Sequence, residues 1–192
     1  MAILRPDTTT TLGGVTVKEY LLTKHNPNHI DMPSVSMEGK IIGVTIHNTS
    51  WITTASGTTP AEQYTRATVN GNMNDVRVHY YVDNTCAWQN LPLTLSGWHA
   101  ADGSGNGNRR TIAIECIMSG AYNSTDKKSE DNCARMAVEE IMDYIDNGNI
   151  RNSVNLPAVS MERSGVMRMC VIHKNIPAML ASITTLLSKD GV

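Results

Sequence analysis

The segment TIAIECI at residues 111–117 is an apolar run interrupted by one carboxylate, Glu115. A second run, IIGVTI at residues 41–46, is rich in β-branched residues and stops at His47. Runs of this length and composition are typical of strands inside a sheet. We therefore predict two core strands, and we expect the run at 41–46 to be a central strand buried on both faces.

Helical and turn signals alternate with these strands. The sequence TPAE at residues 59–62 combines a capping hydroxyl, a proline and a glutamate, which predicts a helix from there to about Val69. Residues 78–89 hold two short apolar runs around a polar pair and predict a β-hairpin. Apolar residues recur at helical spacing over 129–145 and again over 176–187. Strands alternating with helices indicate one α/β domain.

The composition limits the function classes. The chain has 192 residues, and 16 Lys and Arg against 18 Asp and Glu give a net charge of −2. A chain without cationic excess is not a general nucleic-acid binder. It has no long apolar run, so we expect no membrane span and no signal peptide. The 4 cysteines are scattered without a CxxC pair, and we expect most of them to be buried.

Polar sequence borders the predicted domain at both ends. Residues 1–38 are rich in Thr, Asn and Pro, and we interpret them as a loose N-terminal arm with one short strand at 15–22. The folded domain is expected over 39–188. The last residues, 189–192, are expected to begin a linker.

Two side chains stand out chemically, and each has a plain structural alternative. His47 follows a hydrophobic strand, where a histidine either enters a site or makes a structural hydrogen bond. Glu115 either meets a partner or faces a cleft, where desolvation would raise its pKa and suit it to general-base work. His79 and His99 lie on separate segments and meet His47 only if the fold brings them together. This set is compatible with a zinc hydrolase without establishing one.

Four segments in this order carry a family resemblance: IHNT at 46–49, VHYYVD at 78–83, GWHA at 97–100 and RRTIAIE at 109–115. Together they resemble the zinc-dependent N-acetylmuramoyl-L-alanine amidases of the peptidoglycan-recognition-protein-like family, especially endolysins of phages that infect clostridium-like hosts. The resemblance covers about 41–183. It implies a central mixed β-sheet flanked by helices, with zinc in a groove on one face. It also implies cleavage of the amide between N-acetylmuramic acid and the first L-alanine of the stem peptide.

The resemblance also implies roles for individual residues. His47 matches the first zinc ligand of the family, and Glu115 matches the catalytic glutamate that removes a proton from the attacking water. His79 and His99 match positions near the groove that are not usually zinc ligands, and we expect substrate contacts there. Lys174 matches a lysine near the scissile carbonyl, which is placed to stabilise an oxyanion.

The C-terminal part departs from the family pattern. Arg168 and Ile176 stand where the family has its second histidine ligand and its cysteine ligand, and neither side chain binds zinc. Cys170 and His173 lie in the same segment, and thiolate or imidazole would serve as substitutes. The alternative is that Cys170 is a core residue and His173 an exposed one.

The resemblance predicts a Zn²⁺ enzyme that acts on bacterial peptidoglycan, with neither nucleic acid nor membrane as partner. Such a lysin would be made in the host cytoplasm and released to the cell wall, and a wall-binding domain would follow the linker at 189–192. The main alternative is a non-catalytic peptidoglycan-binding module with a degenerate metal site. A partner-binding or structural domain is a third class, but it leaves Glu115 unexplained.

Overall fold

The computed structural model describes residues 3–27, 34–50, 56–147 and 177–189, with only the backbone described over 137–147. The chain forms two compact units, residues 1–161 and 162–192. The elements in chain order are β1 (Thr8–Leu12), β2 (Val15–Glu19), α1 (Leu22–His25), β3 (Gly43–Ser50), α2 (Pro60–Val69), β4 (Tyr80–Val82), β5 (Ala87–Gln89), α3 (Asn106–Arg110), β6 (Thr111–Met118), α4 (Ser124–Asn147) and, in the second unit, α5 (Met179–Lys189).

The first unit is organised around one mixed sheet of six strands in the order β1-β2-β5-β4-β6-β3. Strand β6 pairs in parallel with both β3 and β4, while β4 and β5 form an antiparallel hairpin. Strand β2 pairs in parallel with β5 and antiparallel with β1. This topology confirms the predicted mixed α/β fold and the predicted hairpin.

Strand β6 separates two apolar layers, because its side chains alternate between the faces of the sheet. Ile114 and Cys116 pack in the same cluster as Cys133 of α4. Ala113 and Ile117 belong to the opposite cluster, together with Ala61 of α2. The alternation therefore places Glu115 on the α2 side of the sheet. The described cysteines are Cys86, Cys116 and Cys133, and all three are free and buried as expected.

Helix α2 begins where the sequence predicts. The Thr59 hydroxyl accepts a hydrogen bond from the Glu62 amide at 3.2 Å, and Pro60 occupies the first helical position. The buried Asp83 carboxylate accepts a second hydrogen bond, from the Ala61 amide at 2.9 Å. These contacts fix the start of α2 against the β4–β5 turn.

The prediction that residues 41–46 form a central strand buried on both faces is wrong. Strand β3 is the last strand of the described sheet and pairs with β6. Ile42, Val44 and Ile46 are 57, 53 and 56% exposed. A β-branched run indicates a strand, but it carries no information on how many neighbours that strand has.

The expectation of a loose N-terminal arm is also wrong over residues 8–19. Strand β2 matches the predicted strand, with Val15 and Val17 buried, but β1 was not predicted. Gly13 and Gly14 have φ values of 60° and 73°, which suits the two-residue turn between the strands. Strand β1 escaped detection because four of its five residues are threonines on the exposed surface. The boundaries at 38 and 188 stay predictions.

Two helical features differ in extent from the expectation. Helix α4 begins at Ser124 rather than Ser129. The Asn123 side-chain oxygen accepts hydrogen bonds from the Thr125 and Asp126 amides, and this local cap lies ahead of the apolar repeat. The short helix α3 directly precedes β6 and was not predicted. Among the described residues, no helix has the length and apolarity needed to cross a membrane.

Candidate active site

Strand register places His47 and Glu115 side by side. His47 is paired with Glu115 across β3 and β6, and Tyr81 is paired with Glu115 across β4 and β6. Paired residues of neighbouring parallel strands point to the same face of a sheet. The three side chains therefore form a row on the α2 side.

A loop brings His99 to the same place. Its Nδ1 atom lies 3.0 Å from Nε2 of His47. The two rings meet edge to face, with centroids 5.3 Å apart and planes at 70°. The Nε2 atom of His99 is buried and makes no hydrogen bond of good geometry with the described residues. The structure thus joins two histidines that lie 52 positions apart in the sequence.

The backbone around His99 is fixed by hydrogen bonds to the side chains of Asn108 and Asp102. The side-chain oxygen of Asn108 accepts from the His99 amide at 2.6 Å and from the Ala100 amide at 2.8 Å. Asp102 in turn accepts from the amides of Gly107 and Asn108. Asn108 is fully buried. This loop is therefore held in one conformation that presents the His99 ring to β3.

His79 has a different environment from the other two histidines. It is fully buried, and its Nδ1 atom accepts a hydrogen bond from the Ala113 amide at 3.0 Å. Its Nε2–H then donates to the Leu95 carbonyl at 2.8 Å. Burial lowers the pKa of His79 to about 4, so the ring is neutral at physiological pH. These contacts give His79 a structural role between strands, and they lend no support to the predicted substrate contact.

The electrostatics of the row favour proton transfer near neutral pH. Burial raises the pKa of Glu115 to about 7, and no described residue gives this carboxylate a hydrogen bond or an ion pair. Burial, followed by the neighbouring His47, lowers the pKa of His99 to about 4, against weaker opposing effects of Asp102 and the Gly107 carbonyl. A carboxyl that titrates near 7 on the same face of the sheet as His47 suits general acid–base work.

Helix α2 supports the row from one side. Tyr64 stacks on Tyr81 with centroids 5.2 Å apart, and its hydroxyl donates to the Ser50 carbonyl at 2.7 Å. The Tyr81 hydroxyl is 3.0 Å from that of Thr68. Sequence analysis did not select Tyr64, Tyr81 or Asn108 as site residues. Tyr64 lies in the segment predicted as a helix and Tyr81 in the segment predicted as a β-hairpin, and neither pattern distinguishes a site residue from a core residue. Asn108 lies in no segment that was predicted as a helix or a strand.

The remaining predicted site residues lie outside the described residues: Lys174, His173 and Cys170, together with Arg168 and Ile176 at the expected ligand positions. Their roles stay predictions. Within the described ranges, no group of three His, Cys, Asp or Glu side chains is placed to hold a metal ion.

Comparison with known proteins identifies the family of this site. Residues 37–178 match the Amidase_2 family, described as N-acetylmuramoyl-L-alanine amidase. The chain belongs to this amidase family. The matched region contains the described row of His47, Glu115 and Tyr81 as well as the His99 loop.

Individual relatives agree with this assignment. N-acetylmuramoyl-L-alanine amidase CwlH of Bacillus subtilis (strain 168) is 36% identical over 102 residues, which are 53% of this chain and 37% of that protein. N-acetylmuramoyl-L-alanine amidase XlyA of the same organism is 43% identical over 72 residues, 38% of this chain and 23% of that protein. The chain thus spans less than two fifths of the length of these curated relatives.

Solved structures confirm the fold. The structure of PlyL aligns with a TM-score of 0.53 and 27% identity, covering 66% of this chain and 72% of that chain. The solution structure of the PlyG catalytic domain aligns with a TM-score of 0.51 and 28% identity, covering 67% of this chain and 70% of that chain. The mixed sheet with flanking helices is therefore the fold of an amidase catalytic domain.

Proposed function

We propose that this protein hydrolyses the amide bond between N-acetylmuramic acid and L-alanine in bacterial peptidoglycan. The observation that carries the proposal is the pairing of Glu115 with His47 on one face of the sheet. A half-buried carboxylate without an internal partner is costly, and such groups concentrate at functional sites. Membership in the amidase family supplies the reaction class for this pair.

The described residues fit a zinc ion in part. His47 presents Nε2 towards a second imidazole nitrogen, and an unpaired carboxylate lies on the adjacent strand. Imidazole nitrogen is a preferred zinc donor, and a catalytic zinc site typically has three protein ligands and one water. We therefore propose His47 as a zinc ligand. When bound, zinc would polarise the scissile carbonyl and lower the pKa of the attacking water.

Glu115 is the proposed general base and acid. Its pKa of about 7 allows the carboxylate to accept a proton from water and the carboxylic acid to return it to the leaving amine. The adjacent position on β6 holds Glu115 beside His47 without a competing cation among the described residues. Water activation and leaving-group protonation thus fall to a single side chain.

Three further roles are proposed from the sequence. His173 is the preferred residue to complete the zinc site, and Cys170 is the second candidate. Lys174 would stabilise the negative charge that develops on the carbonyl oxygen.

We propose an endolysin-type role for the whole protein. The enzyme would be made in the cytoplasm of the host and would reach the wall after release. The amidase domain is proposed to span 39–188. The relatives reported above come from Bacillus subtilis, which agrees with a Gram-positive wall as substrate. A clostridium-like host is retained from the sequence prediction.

Release of free amino groups from purified cell walls tests the function. The wild-type protein with added Zn²⁺ should release amino groups steadily, and His47→Ala should lose both the release and the bound zinc. His25→Ala is the matched control, since His25 is bonded to Asp7 next to β1, at the opposite edge of the sheet from β3, and should leave both unchanged. Wall binding without amino-group release by the wild type would contradict the proposal and identify a binding module instead.

A further inference from the structure

We propose that His99 is a direct zinc ligand, bound through Nδ1 alongside Nε2 of His47. The inference rests on the zinc-dependent function proposed above and adds a ligand to it. It starts from the position of His99, since the resemblance places this residue only near the groove.

The distance between the two nitrogens matches shared coordination. Nδ1 of His99 and Nε2 of His47 are 3.0 Å apart. Two nitrogens that bind one tetrahedral zinc ion, each at roughly 2.0 Å, lie roughly 3.3 Å apart. The observed separation is therefore a few tenths of an ångström shorter than shared coordination needs.

The second ring nitrogen of His99, Nε2, resembles the nitrogen of a zinc-bound histidine that faces away from the metal. Nε2 is buried and lacks a well-formed hydrogen bond among the described residues, which is unusual for a buried polar atom. Coordination through Nδ1 would place the ring proton on Nε2. Zinc-bound histidines commonly donate their other ring N–H to a carbonyl, a carboxylate or water, and Nε2 of His99 would carry that proton.

The surrounding backbone holds the ring in place before any metal arrives. A side chain at Gly97 would begin 3.0 Å from Cδ2 of His99 and 2.8 Å from the Arg77 carbonyl, so glycine is needed to admit the ring. Asn108 fixes the backbone of His99 from the other side. A ligand fixed by its scaffold loses little freedom when it binds a metal.

This assignment changes the count of zinc ligands. The family resemblance leaves only His47 in place, because Arg168 and Ile176 occupy the other two ligand positions. With His99 bound, the described part of the chain supplies two ligands. A typical catalytic zinc site has three protein ligands, so the His47–His99 pair would supply two of them.

Nitrogen NMR of the wild-type protein gives the direct test. The histidine rings are labelled with ¹⁵N, and Zn²⁺ is added to the metal-free protein. We expect Nδ1 of His99 and Nε2 of His47 to shift together with the same stoichiometry. A zinc-dependent shift of His47 without any shift of His99 Nδ1 would overturn this inference while leaving the proposed function intact. Absence of zinc binding would overturn both.

Two variants separate a ligand from a positioning residue. His99→Asn keeps a hydrogen-bonding group near Nδ1, whereas His99→Ala removes it. If His99 binds zinc, both variants should weaken zinc binding by more than about 100-fold. Loss of a residue that only hydrogen-bonds to a metal ligand typically weakens metal binding by roughly 10- to 100-fold. Recovery of near wild-type affinity in His99→Asn would show that His99 only positions His47. Shifts at both rings in a protein that does not cleave walls would support the inference and contradict the proposed function alone.

Discussion

Glu115 is held in an unfavourable place for a carboxylate, and this is the main chemical feature of the site. It is flanked along β6 by Ile114 and Cys116, and burial raises its pKa to about 7. An apolar or amide side chain would avoid the cost of desolvation. The presence of a carboxylate at this position is therefore best explained by its proposed role in proton transfer.

Glu115→Gln should leave the fold intact and reduce wall hydrolysis by about 10²- to 10⁴-fold, the range for loss of a general base. Glutamine has nearly the same shape but does not accept the proton. The measurement is the rate of amino-group release, with Glu38→Gln at an exposed position as the control. Retention of more than half of the activity with an unchanged melting temperature would show that Glu115 is not the base.

The same substitution should change the pH dependence of stability in the metal-free protein. Because the pKa of Glu115 is higher in the folded state, about 7 against the ordinary 4.5, the folded state binds more protons between these values. The free energy of unfolding therefore falls as pH rises through this window. Glu115→Gln removes this contribution, so the variant should gain stability relative to wild type between pH 5 and pH 8. Urea unfolding of both proteins at pH 5 and pH 8 checks this. The same difference in unfolding free energy between variant and wild type at the two pH values would mean that Glu115 titrates near its ordinary pKa.

The sequence pointed to His47 because it ends one apolar run, and to Glu115 because it interrupts another. It did not reach the contact between His47 and His99, because that contact depends on the folded loop held by Asn108 and Asp102. It also assigned His79 to the substrate. A histidine in an apolar strand gives no sign of whether its ring nitrogens meet backbone groups or solvent.

At the scale of elements, the β4–β5 turn and the start of α2 share one buried anchor, Asp83. One carboxylate oxygen accepts from the Ala61 amide, and the other accepts from the Thr85 and Cys86 amides. Removing the carboxylate would leave several buried N–H groups without partners. The hairpin and the helix that support the site are therefore coupled through this side chain.

Asp83→Ala should lower the free energy of unfolding by roughly 3 to 5 kcal/mol, since each buried unpaired donor costs about 1 to 3 kcal/mol. Urea denaturation measures the change. The exposed Asp75→Ala is the matched control and should stay within about 0.5 kcal/mol of wild type. A small effect for Asp83→Ala would mean that water or other groups replace the carboxylate.

The elements that were predicted correctly have local signals. The capping hydroxyl of Thr59 and the proline at position 60 specify the start of α2 within one turn of chain. The edge position of β3 and the addition of β2 to β5 depend on pairing between distant segments. No local pattern at 41–46 or at 8–12 records such pairing.

At the scale of the whole molecule, the described residues include His47, Glu115 and His99, while the family's remaining ligand positions match Arg168 and Ile176, which lie outside the described residues. The proposed zinc site therefore has fewer family ligands than a typical catalytic site, which has three protein ligands.

Restoring the family pattern with Arg168→His and Ile176→Cys should tighten zinc binding, because imidazole and thiolate would replace side chains that do not bind zinc. Zinc dissociation constants from chelator competition give the comparison. His173→Ala should weaken binding in the wild-type background. Unchanged affinity in both proteins would show that this segment does not reach the metal.

Mass spectrometry of the products from purified peptidoglycan tests the central claim most directly. The zinc-loaded wild-type protein should create new amino termini that are all L-alanine, and leave glycan chains with intact N-acetylmuramic acid. The Glu115→Gln protein should produce almost none. New reducing sugar ends, or new amino termini on any other residue, would contradict cleavage of the N-acetylmuramoyl-L-alanine bond by the row of His47 and Glu115.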